Sequence, residues 1–74
     1  MKFDTFKKRF AEKVRTLRKE KGITQEAMED HVEGISYRTM QQIEENKANP
    51  TMKTLFNLAK GLGVKVKDLL DLED

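Results

Sequence analysis

Ser36, Tyr37, Arg38, Gln41 and Gln42 stand within seven consecutive residues of the stretch ISYRTMQQIEENKANP, which spans 35–50. Their tips are a hydroxyl, a phenol, a guanidinium and two carboxamides, groups that donate and accept hydrogen bonds. Arginine forks onto guanine, glutamine pairs with adenine, and tyrosine bonds a phosphate or touches a thymine methyl. Spacing decides whether they act together. At about 100° per residue, Tyr37, Gln41, Glu45, Arg38 and Gln42 share one arc of about 140°, with Met40 and Ile43 on the other side. A helix here packs on a thin apolar edge and turns a broad hydrogen-bonding face to water. The competing account of the same wheel is an ordinary solvated face.

Other chemistries find less footing. There is one histidine, His31, one serine and no cysteine. No acid pair with a perturbing pocket suggests general acid–base work. No glycine loop is spaced to cradle a phosphate, and no metal-ligand spacing is present. His31 falls near the end of a short helical segment, where the helix dipole accounts for a cation. No enzyme, cofactor, metal or small-molecule ligand is expected. The four methionines read as gap-filling core or exposed ends.

Seventy-four residues, 36% hydrophobic and 38% charged, fit one small domain spanning 1–74 with a wet surface. The start, MKFDTFKKRF, has no signal-like apolar run, and no window nears the roughly 20 apolar residues of a membrane span. A cytoplasmic location is the expectation. The net charge of +2 hides a division. From Phe3 to Lys21 eight bases face three acids, a balance of +5. From Gly22 to Pro50 two bases (Arg38, Lys47) face six acids (Glu26, Glu29, Asp30, Glu33, Glu44, Glu45), a balance of −4. An attraction for polyanions would therefore come from the first segment and the loop near Lys47.

The elements that must position these groups are all helical. Phe6, Phe10, Val14 and Leu17 recur at helical spacing over 5–21, with Asp4 or Thr5 as cap and Gly22 as stop. Thr24 caps a short second helix from Gln25 to about Val32, with Met28 and Val32 inward. Glu33-Gly34 makes a turn. Ser36 caps a third helix to about Glu45, and Asn46 to Pro50 is a loop. Thr51 caps a fourth helix with Leu55, Leu58, Ala59 and Leu62 on one face, ended by Gly63. A last helix spans Val64 to Leu72, with Lys65 a poor cap. Nothing alternates with period two for long enough to build a sheet. The terminal apolar residues Phe3, Phe6, Leu69, Leu70 and Leu72 close a small core or form a two-fold contact between copies.

Glu44 falls at the border of the third helix's apolar edge. A half-buried carboxylate requires a partner. Arg18 lies next to Leu17 and one turn past Val14, so it borders the inward face of the first helix. The two are expected to pair.

Together these segments resemble the lambda-repressor-like helix-turn-helix group, the Cro/CI or xenobiotic-response-element (XRE) type. FAEKVRTLRKEKGITQEAM and ISYRTMQQIEENKANPTMKTLFNLAKGLGV carry the resemblance over about 9–70, most specifically in LRKEKGITQE, IEENKANPT and LAKGLGV. It implies a compact five-helix, all-α DNA-binding domain with its helix-turn-helix at about 25–45. Ser36, Tyr37, Arg38, Gln41 and Gln42 match the positions that read bases. Gln25 matches a glutamine that contacts a phosphate and braces the recognition helix. Asn46, Lys47 and Asn49 match a loop along the sugar-phosphate backbone, and Lys21 joins the phosphate set. Arg18 and Glu44 match a structural ion pair. Double-stranded DNA with a pseudo-palindromic operator, bound by a homodimer, is the implied partner. Two departures stand out. VEGI has one residue more than the usual turn, and Glu29 replaces the small alanine usual where the two helices cross. Either the longer turn opens the crossing or Glu29 swings to its edge. The expected function is a transcriptional regulator, in the first instance a repressor. The rival is a protein-interaction or antitoxin-like module on the same fold.

Overall fold

The computed structural model describes residues 1–73. Five helices follow in order: α1 (Phe3–Glu20), α2 (Met28–His31), α3 (Tyr37–Glu44), α4 (Met52–Leu62) and α5 (Val66–Leu69), with no strand among the described residues. The fold is all-α, as the periodicities predict.

α1 buries Phe10, Ala11, Val14 and Arg18 along one stripe. It starts before the predicted caps: Lys2 is the N-cap, with no side-chain cap bond, and Asp4 sits inside the first turn. There its carboxylate meets the positive end of the helix dipole instead. The other end is closed by backbone. Gly22 adopts φ +71°, its N–H reaches the Lys19 carbonyl at 3.0 Å and the Ile23 N–H reaches that of Arg18 at 3.2 Å. A β-carbon is disfavoured at that dihedral, which is why glycine stops the helix.

α2 is shorter than the Gln25–Val32 helix expected. Thr24 does cap the segment, its Oγ1 accepting from the Ala27 N–H at 3.0 Å. The Met28 amide is shared between the Thr24 and Gln25 carbonyls at 3.2 and 3.3 Å, and those of Glu29 and Asp30 bond carbonyls three residues back at 3.3 and 3.0 Å. That winding is tighter than α and is common at helix starts. Regular α geometry is left to Met28–His31. Met28 and Val32 nonetheless point inward, at 0% and 1% exposure.

The remaining boundaries follow local chemistry. Ser36 Oγ accepts from Thr39 N–H, and Thr51 Oγ1 from Thr54 N–H, each at 3.1 Å. α3 ends in the same wrap as α1, with Asn46 at φ +64° taking the glycine position and the Lys47 N–H on the Gln42 carbonyl at 2.8 Å. Asparagine is among the few side chains tolerant of that region. α5 is shorter than expected at both ends. Val64 cannot begin it, because its N–H closes α4 on the Ala59 carbonyl at 2.9 Å. Asp68 supplies the cap Lys65 lacks, its carboxylate accepting the Lys65 N–H at 2.9 Å. After Leu69 the chain leaves the helix, yet Leu72 returns to the core, and its carbonyl accepts from Arg9 Nη1 at 2.8 Å.

α1 packs on α3 and α5, α2 on α3 and α4, and α4 on α5. Met28, Met40, Leu58, Leu62, Leu69, Val14 and Val32 are the fully buried side chains at their centre. Of the terminal apolar residues, Leu69 and Leu72 are core, Phe6 packs against it partly buried, and Phe3 and Leu70 stay exposed.

Gly61 marks the closest approach. A β-carbon there would lie 2.5 Å from the His31 carbonyl oxygen and 2.5 Å from Val32 Cγ2. Backbone against backbone has little room to give. Gly61→Ala adds about 1 kcal/mol of helix propensity but overpacks this junction, at roughly 1–3 kcal/mol. The expected outcome is a lower thermal midpoint, read by circular dichroism; a raised midpoint would show that α2 and α4 are not so closely apposed.

Candidate nucleic-acid interface

α3 is held from behind by one buried ion pair. Arg18 Nε donates to Glu44 Oε2 at 2.6 Å and Arg18 Nη2 to Glu44 Oε1 at 3.0 Å. The Glu44 side chain has no exposure and that of Arg18 has 10%. The third edge of the guanidinium is also used: Nη1 donates to the Ile23 carbonyl at 2.8 Å. Gln25 Nε2 donates to Glu44 Oε1 at 3.1 Å. One carboxylate thus joins α1, the turn after it, the start of the α2 segment and the last residue of α3. A two-pronged arginine–carboxylate contact fixes direction as well as distance.

Arg15 belongs to the same assembly and was not singled out by sequence. Its Nη2 donates to the Glu44 carbonyl at 3.1 Å, and its Nε lies 3.5 Å from Glu44 Oε1, with the side chain about half exposed. The available signal was spacing: Arg15 lies three residues before Arg18, on the same edge of α1.

The other end of α3 has a second acidic fastening. Glu29 Oε1 accepts the Tyr37 backbone N–H at 2.6 Å. Tyr37 is the first residue of α3, where backbone donors lack helical partners. Of the two possibilities for Glu29, the carboxylate lies at the edge of the crossing, exposed, and caps α3.

The outward face of α3 then has this arrangement. Ser36 and Arg38 are exposed; Tyr37, Gln41 and Gln42 are partly buried. Gln41 Nε2 donates to the Tyr37 hydroxyl at 2.9 Å, one helical turn away. That bond orients both tips along the helix. Arg38, the next residue after Tyr37, is exposed.

The residues expected at phosphates divide. The Gln25 amide is aimed at Glu44, a bracing contact with α3. Lys21 is exposed at the end of α1. Asn46 and Lys47 are exposed and line a depression with Lys8, Arg15 and the acids Glu12, Glu44 and Glu45, and Lys47 Nζ lies 3.5 Å from a Glu45 oxygen. Asn49 stands apart from them, along an apolar groove lined by Phe3, Phe6, Phe10, Pro50, Leu55 and Leu70.

A helix-turn-helix family model matches residues 14–69, which contain all of α2, α3, α4 and α5. The chain belongs to that family. It is thereby placed among DNA-binding regulators of transcription. It is 41% identical over 58 residues to an HTH-type transcriptional regulator of Sinorhizobium fredii, covering 78% of this chain and 74% of that one. It is 42% identical over 41 residues to an HTH-type transcriptional regulator of Methanocaldococcus jannaschii, covering 55% of this chain and 62% of the other. Among solved structures it is similar to an HTH_3 family transcriptional regulator from Vibrio cholerae, with a TM-score of 0.81 and 31% identity. That likeness covers 89% of this chain and 37% of the Vibrio chain. Among the described residues no helix is long and apolar enough to cross a membrane.

Glu44 and Glu45 are chemically identical neighbours with opposite surroundings. Glu44→Ala strands Arg18 in a dry site and is expected to destabilise by roughly 3–5 kcal/mol. Glu45→Ala removes an exposed carboxylate and is expected to change stability by about 0.5 kcal/mol or less. Denaturant unfolding of the two variants tests this; equal midpoints would remove the bracing role.

Proposed function

We propose that this helix-turn-helix chain is a sequence-specific reader of double-stranded DNA, with α3 lying in the major groove and operator occupancy repressing transcription. The observation that carries this reading is the outward face of α3. A helix pinned behind by Glu44 and capped by Glu29 leaves Tyr37, Arg38, Gln41 and Gln42 on one accessible side, with the cap Ser36 exposed at its leading end. Arg38 is assigned to a guanine edge and Gln42 to an adenine edge. Gln25, Lys21, Asn46, Lys47 and Asn49 are assigned to phosphates, which fix register without reading sequence. Arg15, close to Asn46 and Lys47, is added to that group.

A pseudo-palindromic operator and a homodimer complete the reading, because a two-fold pair doubles the recognition surface. The place of action is the cytoplasm. Binding is expected to weaken steeply with salt, since phosphate neutralisation releases counterions. The relatives' description as transcriptional regulators supports this class of function.

A second reading, a protein-interaction or antitoxin-like module, draws on a different surface. Phe3, Met52, Phe56 and Leu70 are exposed, and the groove beside Phe3 encloses about 190 Å³ between apolar walls. A gel shift with random duplex at low salt separates the two readings: retention of DNA favours the first, its absence the second.

The finer test uses a duplex selected from a random pool. Arg38→Ala is expected to weaken binding to it by roughly 1–3 kcal/mol and to relax preference at one base pair. Lys47→Ala is expected to weaken all sequences alike and to flatten the salt dependence by about one unit of slope. Unchanged affinity for Arg38→Ala would overturn the base-reading assignment.

A further inference from the structure

We infer that Glu29 is a positioning residue for base recognition: it sets the register and tilt of the leading end of α3, and through Tyr37 and Arg38 it decides which base pairs are told apart. This rests on the DNA-reading function proposed above.

α3 is secured in two different ways along its length. At its last residue the hold is directional and buried, through the Arg18–Glu44 pair. In its middle Met40 and Ile43 are buried in the same apolar core as Met28 and Val32. Apolar burial is strong but non-directional, so it resists lifting more than sliding. Among the described residues, the Glu29–Tyr37 contact is the only side-chain hydrogen bond between α2 and α3. At 2.6 Å to a charged acceptor it is short and directional. It therefore decides where the first turn of α3 sits relative to α2.

The consequences are uneven along the helix. Tyr37 donates the bond and Arg38 follows it, so their tips move furthest if it is lost. The Tyr37 hydroxyl also orients Gln41 at 2.9 Å, and a displaced Tyr37 carries that amide with it. Gln42 lies near the end pinned by Glu44 and stays in place. The turn between the two helices, Glu33-Gly34, carries one backbone bond among the described residues, a 3.3 Å contact from Ile35 N–H to the Val32 carbonyl. Val32 and Ile35 are buried in the core on either side of it, a hold that is apolar and not directional. Glu29 also sets a negative charge at the leading end of α3. That charge works against phosphate, so sequence-independent affinity is restrained at the position where base reading is sharpened.

Three variants separate geometry from charge. Glu29→Gln keeps an oxygen that accepts the Tyr37 N–H and removes the charge. Glu29→Asp keeps the charge on a stem one methylene shorter. Glu29→Ala removes both. Each is measured by thermal melting, by the amide proton shift and exchange rate of Tyr37, and by selection from a random duplex pool. Glu29→Ala and Glu29→Asp are expected to release the Tyr37 amide and to weaken binding to the wild-type site by roughly tenfold. Their selected sites lose discrimination at the base pairs that Arg38→Ala also relaxes, and keep it at those that Gln42→Ala relaxes. Glu29→Gln keeps the wild-type preferences and binds random duplex more tightly. A merely structural role would lower stability and relax every position evenly, and that pattern would overturn the inference. So would wild-type preferences in Glu29→Ala, or a Tyr37 amide that does not respond to it. A wild-type protein that selects no sequence, while its Tyr37 amide reports the Glu29 bond, would refute the DNA reading and the specificity role together and leave the capping bond standing.

Discussion

A carboxylate without exposure, Glu44, meets a guanidinium almost as dry, Arg18, and the functional face depends on that meeting. Neither charge tolerates burial alone. Arg18 also closes the Ile23 carbonyl, and Gln25 and Arg15 add donors to Glu44, so no buried side-chain polar atom among the described residues lacks a partner. The pair leaves α3 little choice of rotation about its own axis. Once Glu44 must point at α1, Met40 and Ile43 face the core. Tyr37, Arg38 and Gln42 are then carried to the outside by the helical period alone.

This constraint also explains the acidic balance of the central segment. Six acids near a surface proposed to meet a polyanion look unfavourable by count. Three of them are engaged within the protein: Glu45 with Lys47, Glu44 with Arg18, and Glu29 with the Tyr37 N–H. The last two fasten α3, one at each end. The bases at Lys8, Arg15 and Lys47 meet around one depression beside the α3–α4 loop, together with Glu12, Glu44 and Glu45. Charge along the sequence is therefore a poor guide to the field at the interface, because pairing removes some charges and folding collects others.

Much of the fold was legible because local signals agreed. Apolar period, serine and threonine caps and glycine stops gave five helices, and Ser36 and Thr51 cap as their positions suggest. The ion pair was legible from a wheel, since a carboxylate at the border of an apolar edge has to be answered by a cation. What sequence missed was settled by other means. Asp4 and Thr5 lost the capping role to an earlier start of α1. Val64 lost the start of α5 because α4 needed its amide. The tight first turn before α2, the engagement of Arg15 and the approach at Gly61 depend on which segments meet. The fate of Glu29 was the clearest case: its surroundings posed the question, and only the neighbouring helix end, eight residues on, answered it. Asn49, exposed and close in sequence to Asn46 and Lys47, also borders the apolar groove, a neighbourhood that its place in the loop does not announce.

The central claim is that the braced, outward side of α3 is the surface that meets DNA. Backbone amide shifts of the isotopically labelled protein, followed as a selected duplex is titrated in, test it most directly. The account predicts that the largest changes fall on residues 36–42, with smaller ones at Lys21, Gln25 and the 46–49 loop, and that α5 stays silent. Changes confined to the neighbourhood of Phe3, Phe56 and Leu70, or no saturable change with any duplex, would contradict it.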